Sequence, residues 1–143
     1  MQARFVGKVN YFWGGKSSAI GWDSAWGTMR RVTAAGSPSS GTIRAYGLDC
    51  SGFVTWAFNN SSMGYAVGHG TYGQRDANVQ VTASTVQAGD LCFLPSYSHV
   101  GIVVGKDTGG NILVIHCSSG ANNVVVSTAS SVGFTVLRRP NCY

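Results

Sequence analysis

Gly47-Leu48-Asp49-Cys50-Ser51-Gly52-Phe53-Val54-Thr55-Trp56-Ala57-Phe58 is the stretch that decides how this chain folds. A polar step, Asp49 to Gly52, leads straight into an apolar run. Phe53, Trp56 and Ala57 fall at i, i+3 and i+4, and Val54 and Phe58 repeat the i, i+4 spacing, which predicts a buried helix. Asp49 is the expected N-cap, because its carboxylate can accept an orphan backbone N–H of the first turn. Cys50 then stands in that turn, where the positive end of the helix dipole is expected to favour a thiolate and lower the thiol pKa. Gly52 leaves space beside the sulfur for another chain to approach. One cysteine on a helix is most simply a small core residue, so its meaning depends on what surrounds it in the chain.

Downstream the period changes. Leu91-Cys92-Phe93-Leu94, His99 to Gly105, Ile112 to Cys117, Asn122 to Ser127 and Phe134 to Arg138 read as five strands. Gln87-Ala88-Gly89-Asp90 is a turn before the first, and residues 106–111 are a hairpin loop. Short Gly-bearing turns between consecutive strands predict an antiparallel meander. A helix followed by a sheet makes the fold α+β. His99 opens one strand and His116 closes the next. Pairing about the 106–111 loop brings both imidazoles to the same end of the sheet, as a catalytic base and the polar group that orients it require. A zinc site from Cys92, His99, His116 and Cys117 is disfavoured, since adjacent His116 and Cys117 would point to opposite sheet faces.

Upstream, Tyr11-Phe12-Trp13-Gly14-Gly15-Lys16 reads as an aromatic anchor entering a turn. The Tyr11 hydroxyl needs a partner if it is buried. Residues 17–46 show no clear periodicity. They are expected to form a surface excursion packed down by Trp22 and Trp26, with a flexible turn at 36–41. Asn59 to Tyr72 is Gly-rich and holds His69 between two glycines, a loop residue that can reach a cleft.

The composition limits the alternatives. With 143 residues the chain is expected to be one domain, 1–143, with its own core. Few charges and many small polar residues suit a loop-rich fold better than a helical bundle. The net charge of +5 favours polyanions, yet Arg30-Arg31 and Arg138-Arg139 are isolated pairs, which argues against nucleic acid; anionic cell-surface polymers would serve equally well as partners. The four cysteines contain no C-x-x-C pair and are too few for a disulfide scaffold. Cys92 and Cys117 read as core residues and Cys142 as exposed. No apolar run is long enough to span a membrane. No secretory signal is visible at the N-terminus, as expected of a mature or excised domain.

Together, Tyr11-x-Trp13-Gly14-Gly15, Asp49-Cys50-Ser51-Gly52-Phe53, Gly89-Asp90-Leu91-x-Phe93, His99-Val100-Gly101-Ile102-Val103-Val104-Gly105 and Ile115-His116 resemble the NlpC/P60 family, papain-like cysteine peptidases of bacterial peptidoglycan. The motifs occur in the family's order over nearly the whole chain. The resemblance implies a papain-like fold, with the Cys-bearing helix packed on a central antiparallel sheet. It also implies Cys50 as nucleophile, His99 as general base and His116 as the orienting residue. Tyr11, Asp49 and Ser51 would line a substrate site for the free amine of an L-alanine-type N-terminus, with His69 a further candidate. No metal and no cofactor is expected. The implied activity is cleavage of the bond between γ-D-glutamate and the diamino acid (diaminopimelate or lysine) of wall stem peptides, by a secreted monomer at the bacterial cell wall. Alternatives are a cysteine amidase that cuts between sugar and L-alanine, an inactive wall-peptide-binding module, and a structural metal-binding domain. Residues 17–46 depart from the family as an enlarged connection expected to reshape one wall of the cleft.

Overall fold

The computed structural model describes residues 6–60, 73–74 and 79–140. His69 and Cys142, two of the residues singled out above, lie outside them. The predicted helix forms as α1, Cys50–Asn59. Asp49 caps it: the carboxylate accepts the Gly52 N–H at 2.7 Å, satisfying one of the donors that a helix start leaves unpaired. Phe53, Val54, Trp56, Ala57 and Phe58 are all buried, so the helix is wrapped by core on nearly every side.

The other described residues build two sheets. β1 (Met29–Arg31) and β2 (Ile43–Ala45) make a small antiparallel hairpin. β3 (Val79–Val81), β4 (Leu91–Phe93), β5 (Val100–Lys106), β6 (Ile112–Ser118), β7 (Asn123–Thr128) and β8 (Val136–Arg139) form an antiparallel sheet in the order β3-β8-β4-β5-β6-β7. A short helix, α2 (Ala129–Val132), follows β7 and ends at Gly133 in the left-handed region, φ 93°, which a glycine adopts without steric penalty. The turn sends the chain back across the sheet.

The meander holds for β4 to β7. The last strand departs from it: β8 inserts on the far side of β4 instead of extending past β7. All three residues of β4 are buried, and the sheet closes over this strand only if both its edges are paired. β3 then covers β8, although residues 79–81 carry no strand signal long enough to read. Residues 17–46 hold the β1–β2 hairpin. Trp26 is buried and meets Trp56 edge-on with ring centres 5.2 Å apart, and Trp22 packs edge-on to Trp26 at 4.9 Å. Trp26 thus anchors this connection to α1, with the more exposed Trp22 packed on its outer side.

Side chains alternate across the sheet. Leu91, Phe93, Val100, Ile102, Ile115 and Cys117 join the core around α1, whereas Cys92, Val103, Val114, Phe134 and Leu137 form a smaller core on the opposite face. His116 therefore points away from Cys117 and towards the face that carries Phe134.

Candidate active site

The first turn of α1 lies against two other backbones. A Cβ on Gly52 would collide with the Gly15 carbonyl oxygen, so a glycine is required for the 10–16 segment to reach the cysteine turn. That segment bridges to the turn through Tyr11 and Leu48 in a parallel pairing. The Cys50 sulfur receives backbone N–H groups of Val100 and Ser51. Val100 immediately follows His99, so the thiol sits at the start of β5.

The Cys50 thiol is not acidic in this environment. Burial pushes it up to about 11, with the Asp49 carboxylate adding to the effect, against smaller contributions from the two N–H groups and Lys16. This corrects the expectation of a lowered pKa. Cys50 is only 6% exposed, and the desolvation of a thiolate there outweighs the helix end. Tyr11 is close enough for its phenol to be pushed up by burial and then by Cys50 and Asp49.

The two histidines meet as the hairpin predicts. His99 Nε2 and His116 Nδ1 are 2.8 Å apart. His116 Nε2 lies 2.9 Å from Ser127 Oγ on β7. Phe134 braces both rings, stacked on His99 at 5.4 Å and edge-on to His116 at 5.5 Å. Burial lowers the pKa of His99, and burial with the neighbouring His99 lowers that of His116 to about 4. His116 is thus neutral at neutral pH. When its Nε2–H donates to Ser127, Nδ1 keeps a lone pair for His99 Nε2–H, and His99 Nδ1 is left to take a proton.

Asp49 and Ser51 both face Lys16, whose Nζ lies 2.7 and 2.9 Å from the carboxylate oxygens and 3.1 Å from Ser51 Oγ. Lys16, Ser127 and Phe134 were not singled out from sequence. Ser127 was recoverable from register, since Val125 pairs with His116 and Ser127 lies two residues on along the same face. Lys16 and Phe134 carry no comparable signal.

A cleft of about 710 Å³ runs over the histidines, lined by Tyr11, Trp13, His99, His116 and Ser127 and closed on one side by residues 36–38. The Trp13 indole N–H donates to the Ala35 carbonyl at 2.8 Å, so the tip of the β1–β2 excursion is fastened to the aromatic anchor as one wall. Its serines bond one another and the Ala34 carbonyl, which makes the 36–41 turn a hydrogen-bonded one.

The sequence profile of the NlpC/P60 family matches residues 7–136; the chain belongs to this family. A probable endopeptidase of Mycobacterium tuberculosis is 34% identical over 90 residues, covering 62% of this chain and 22% of the relative. The matched region is thus about a fifth of that relative's length. The peptidoglycan hydrolase RipB of Mycobacterium tuberculosis superposes with a TM-score of 0.68 at 27% identity, covering 95% of this chain and 59% of that one. RipD of the same organism, a non-catalytic NlpC/p60 domain protein adapted to peptidoglycan binding, shares the fold with a TM-score of 0.66 at 19% identity, covering 95% of this chain and 88% of its own. Among the described residues no helix is long and apolar enough to cross a membrane.

Proposed function

We propose that this chain is the catalytic domain of a peptidoglycan-hydrolysing cysteine endopeptidase acting on the γ-D-glutamyl–diamino acid bond of wall stem peptides. The observation that carries the reading is the relay from Ser127 through His116 to His99, whose chain neighbour Val100 offers its backbone N–H to the Cys50 sulfur. A peptide-binding module has no need for a base whose tautomer is set by two successive hydrogen bonds.

In this mechanism Cys50 rests as a thiol. His99 Nδ1 takes its proton as the sulfur attacks the scissile carbonyl carbon. The imidazolium keeps its Nε2–H on His116 Nδ1, which stays neutral and accepts it. Backbone N–H groups at the cysteine turn receive the developing oxyanion, each worth ~3 kcal/mol in comparable sites. The C–N bond breaks as His99 returns the proton to the leaving amine, leaving a thioester. Water, deprotonated by His99, then releases the acid and restores the thiol. Tyr11 borders the same cleft and supplies substrate contacts.

The test is mass spectrometry of L-Ala-γ-D-Glu-diaminopimelate and its lysine analogue after incubation with the wild-type chain and with Cys50→Ala. Release of the free diamino acid by the wild type alone is the expected result. If neither peptide is cut while intact muropeptides lose their sugar–alanine bond, the amidase reading replaces this one.

A further inference from the structure

The β1–β2 hairpin carries Arg30, Arg31 and Arg44. Arg30 and Arg44 are directly paired across the two strands, so two like charges share one face, an arrangement that costs stability. Two of the three arginines are held by their own chain. The Arg30 guanidinium lies over the Tyr46 ring, 4.7 Å from its centre, and Arg31 donates to the Gly41 carbonyl at 2.6 Å. Arg44 is tied through Nε, which donates to Thr42 Oγ1 at 2.9 Å. Among the described residues no acid pairs with its terminal nitrogens: Asp49 is held by Lys16, Asp90 by Arg139, Asp23 by Ser17 and Asp107 by Asn111.

Arg44 lines a pocket of about 310 Å³ that is continuous with the 710 Å³ cleft, since Tyr11, Trp13, Ser37, Pro38 and Ser119 border both. Asn122 lines the small pocket too. It stands in the left-handed region, φ 52°, and its Oδ1 accepts the Tyr11 N–H at 3.2 Å. That bond sets the orientation of the amide and leaves Nδ2 as a donor. The small pocket thus presents a guanidinium, an amide donor and serine hydroxyls, with no acid in its lining. The lining of the large cleft holds no Lys, Arg, Asp or Glu.

Building on the function proposed above, we propose that Arg44, with Asn122 beside it, seats a carboxylate of the stem peptide and makes the excursion wall a determinant of specificity. The peptide brings the α-carboxylate of its γ-linked D-glutamate and, when the diamino acid is diaminopimelate, a second carboxylate at the end of that side chain. A cleft without a cation removes water from such a group and returns little. The free edge of a guanidinium offers two parallel N–H donors at the spacing of carboxylate oxygens. An anion placed there also offsets the repulsion between Arg44 and Arg30. The seat lies on the excursion and acts on binding, apart from the sulfur and the histidines.

The test measures kcat and KM for L-Ala-γ-D-Glu-diaminopimelate, its lysine analogue, and the diaminopimelate peptide with the D-glutamate α-carboxylate amidated. It uses the wild type, Arg44→Gln and Arg44→Lys, with thermal melts to verify folding. Arg44→Gln is expected to lose roughly fivefold to tenfold in kcat/KM on the first peptide, through KM, with kcat little changed. Arg44→Lys, which keeps the charge without the fork, should lose less. The loss disappears on the lysine peptide if the side-chain carboxylate is the one seated, and on the amidated peptide if it is the α-carboxylate. The wild type should disfavour that same peptide by a similar factor, and this ratio decides alone if Arg44→Gln fails to fold. A loss below twofold on the first peptide, an equal loss on all three, or a loss in kcat alone overturns the inference while leaving the proposed reaction standing. So does a wild type that cuts all three peptides within twofold of one another. Failure of the wild type to cut any of them overturns the proposed reaction itself, and the inference with it.

Discussion

Gly101 is the position where one methyl group should damage both fold and site. It lies on β5 opposite the end of β6 that carries His116. A Cβ there would stand 2.5 Å from Val114 Cγ1, 3.0 Å from His116 Cβ and 3.0 Å from the Ile115 carbonyl oxygen. Carbon atoms pack at about 3.5–4.0 Å, so Gly101→Ala needs shifts of roughly 0.5–1 Å or more. Val114 is β-branched and has little rotamer freedom to yield, and the carbonyl belongs to the β5–β6 ladder. The strain falls on overpacking, at about 1–3 kcal/mol. For a chain of this size that lowers Tm by about 2–12 °C. The 2.8 Å bond between His99 and His116 depends on the same backbone, and a misplacement approaching 1 Å costs up to about a hundredfold in rate. We therefore expect kcat for stem-peptide cleavage to fall about tenfold to a hundredfold, with KM little changed. Gly120→Ala serves as a control: its Cβ would meet only Ser118 Oγ, at 3.8 Å, and stability should move by less than about 0.5 kcal/mol. Thermal unfolding and peptide hydrolysis measured side by side decide the matter. A Gly101→Ala protein with an unchanged Tm and a kcat within twofold of wild type would refute the reasoning.

Three further predictions concern protonation. His116 has its folded pKa depressed to about 4, below an unfolded value of about 6.5, so the unfolded chain binds more protons between those limits. Its contribution to stability is complete above pH ~6.5 and is lost as pH falls towards 4. The full shift corresponds to about 3 kcal/mol, and water in the open cleft reduces the expected loss to about 2 kcal/mol. Denaturant melts from pH 7.5 to 4 should show that slope flattened in His116→Gln, and an unchanged slope would count against it. Because Cys50 titrates at about 11, its alkylation by iodoacetamide should climb steadily from pH 7 to 10 with no acid plateau. Asp49→Asn, which keeps an N-cap oxygen but removes the charge second only to burial in raising the thiol pKa, should speed alkylation at pH 7.5; a slower rate would show the carboxylate acting otherwise.

The parts of the site that rest on local rules were legible. The cap at Asp49, the buried face of α1 and the meeting of His99 with His116 follow from capping, helical period and hairpin register. The Cys50 pKa was misjudged because the helix end can be read locally, whereas the burial of the sulfur is a property of the assembled chain. β8 beside β4 depends on which edge remains unpaired after the meander forms, and nothing in residues 134–139 records that. The β1–β2 hairpin escaped detection because its strands are short and exposed, carrying Met29, Arg30, Arg31, Ile43 and Arg44 without apolar alternation. It owes its place to Trp26 packed on Trp56 and to Trp13 bonded to its tip.

The relay that ends on Ser127 has a consequence for the order of synthesis. Cys50 is made first, His99 and His116 follow, and Ser127 and Phe134, which fix and brace the imidazoles, come after them. Closing contacts so far apart in sequence is slow. In the roles proposed above, a chain still being synthesised therefore presents Cys50 before His99 is held. The proposed activity would then arrive late, when nearly all of the domain has been made and folded.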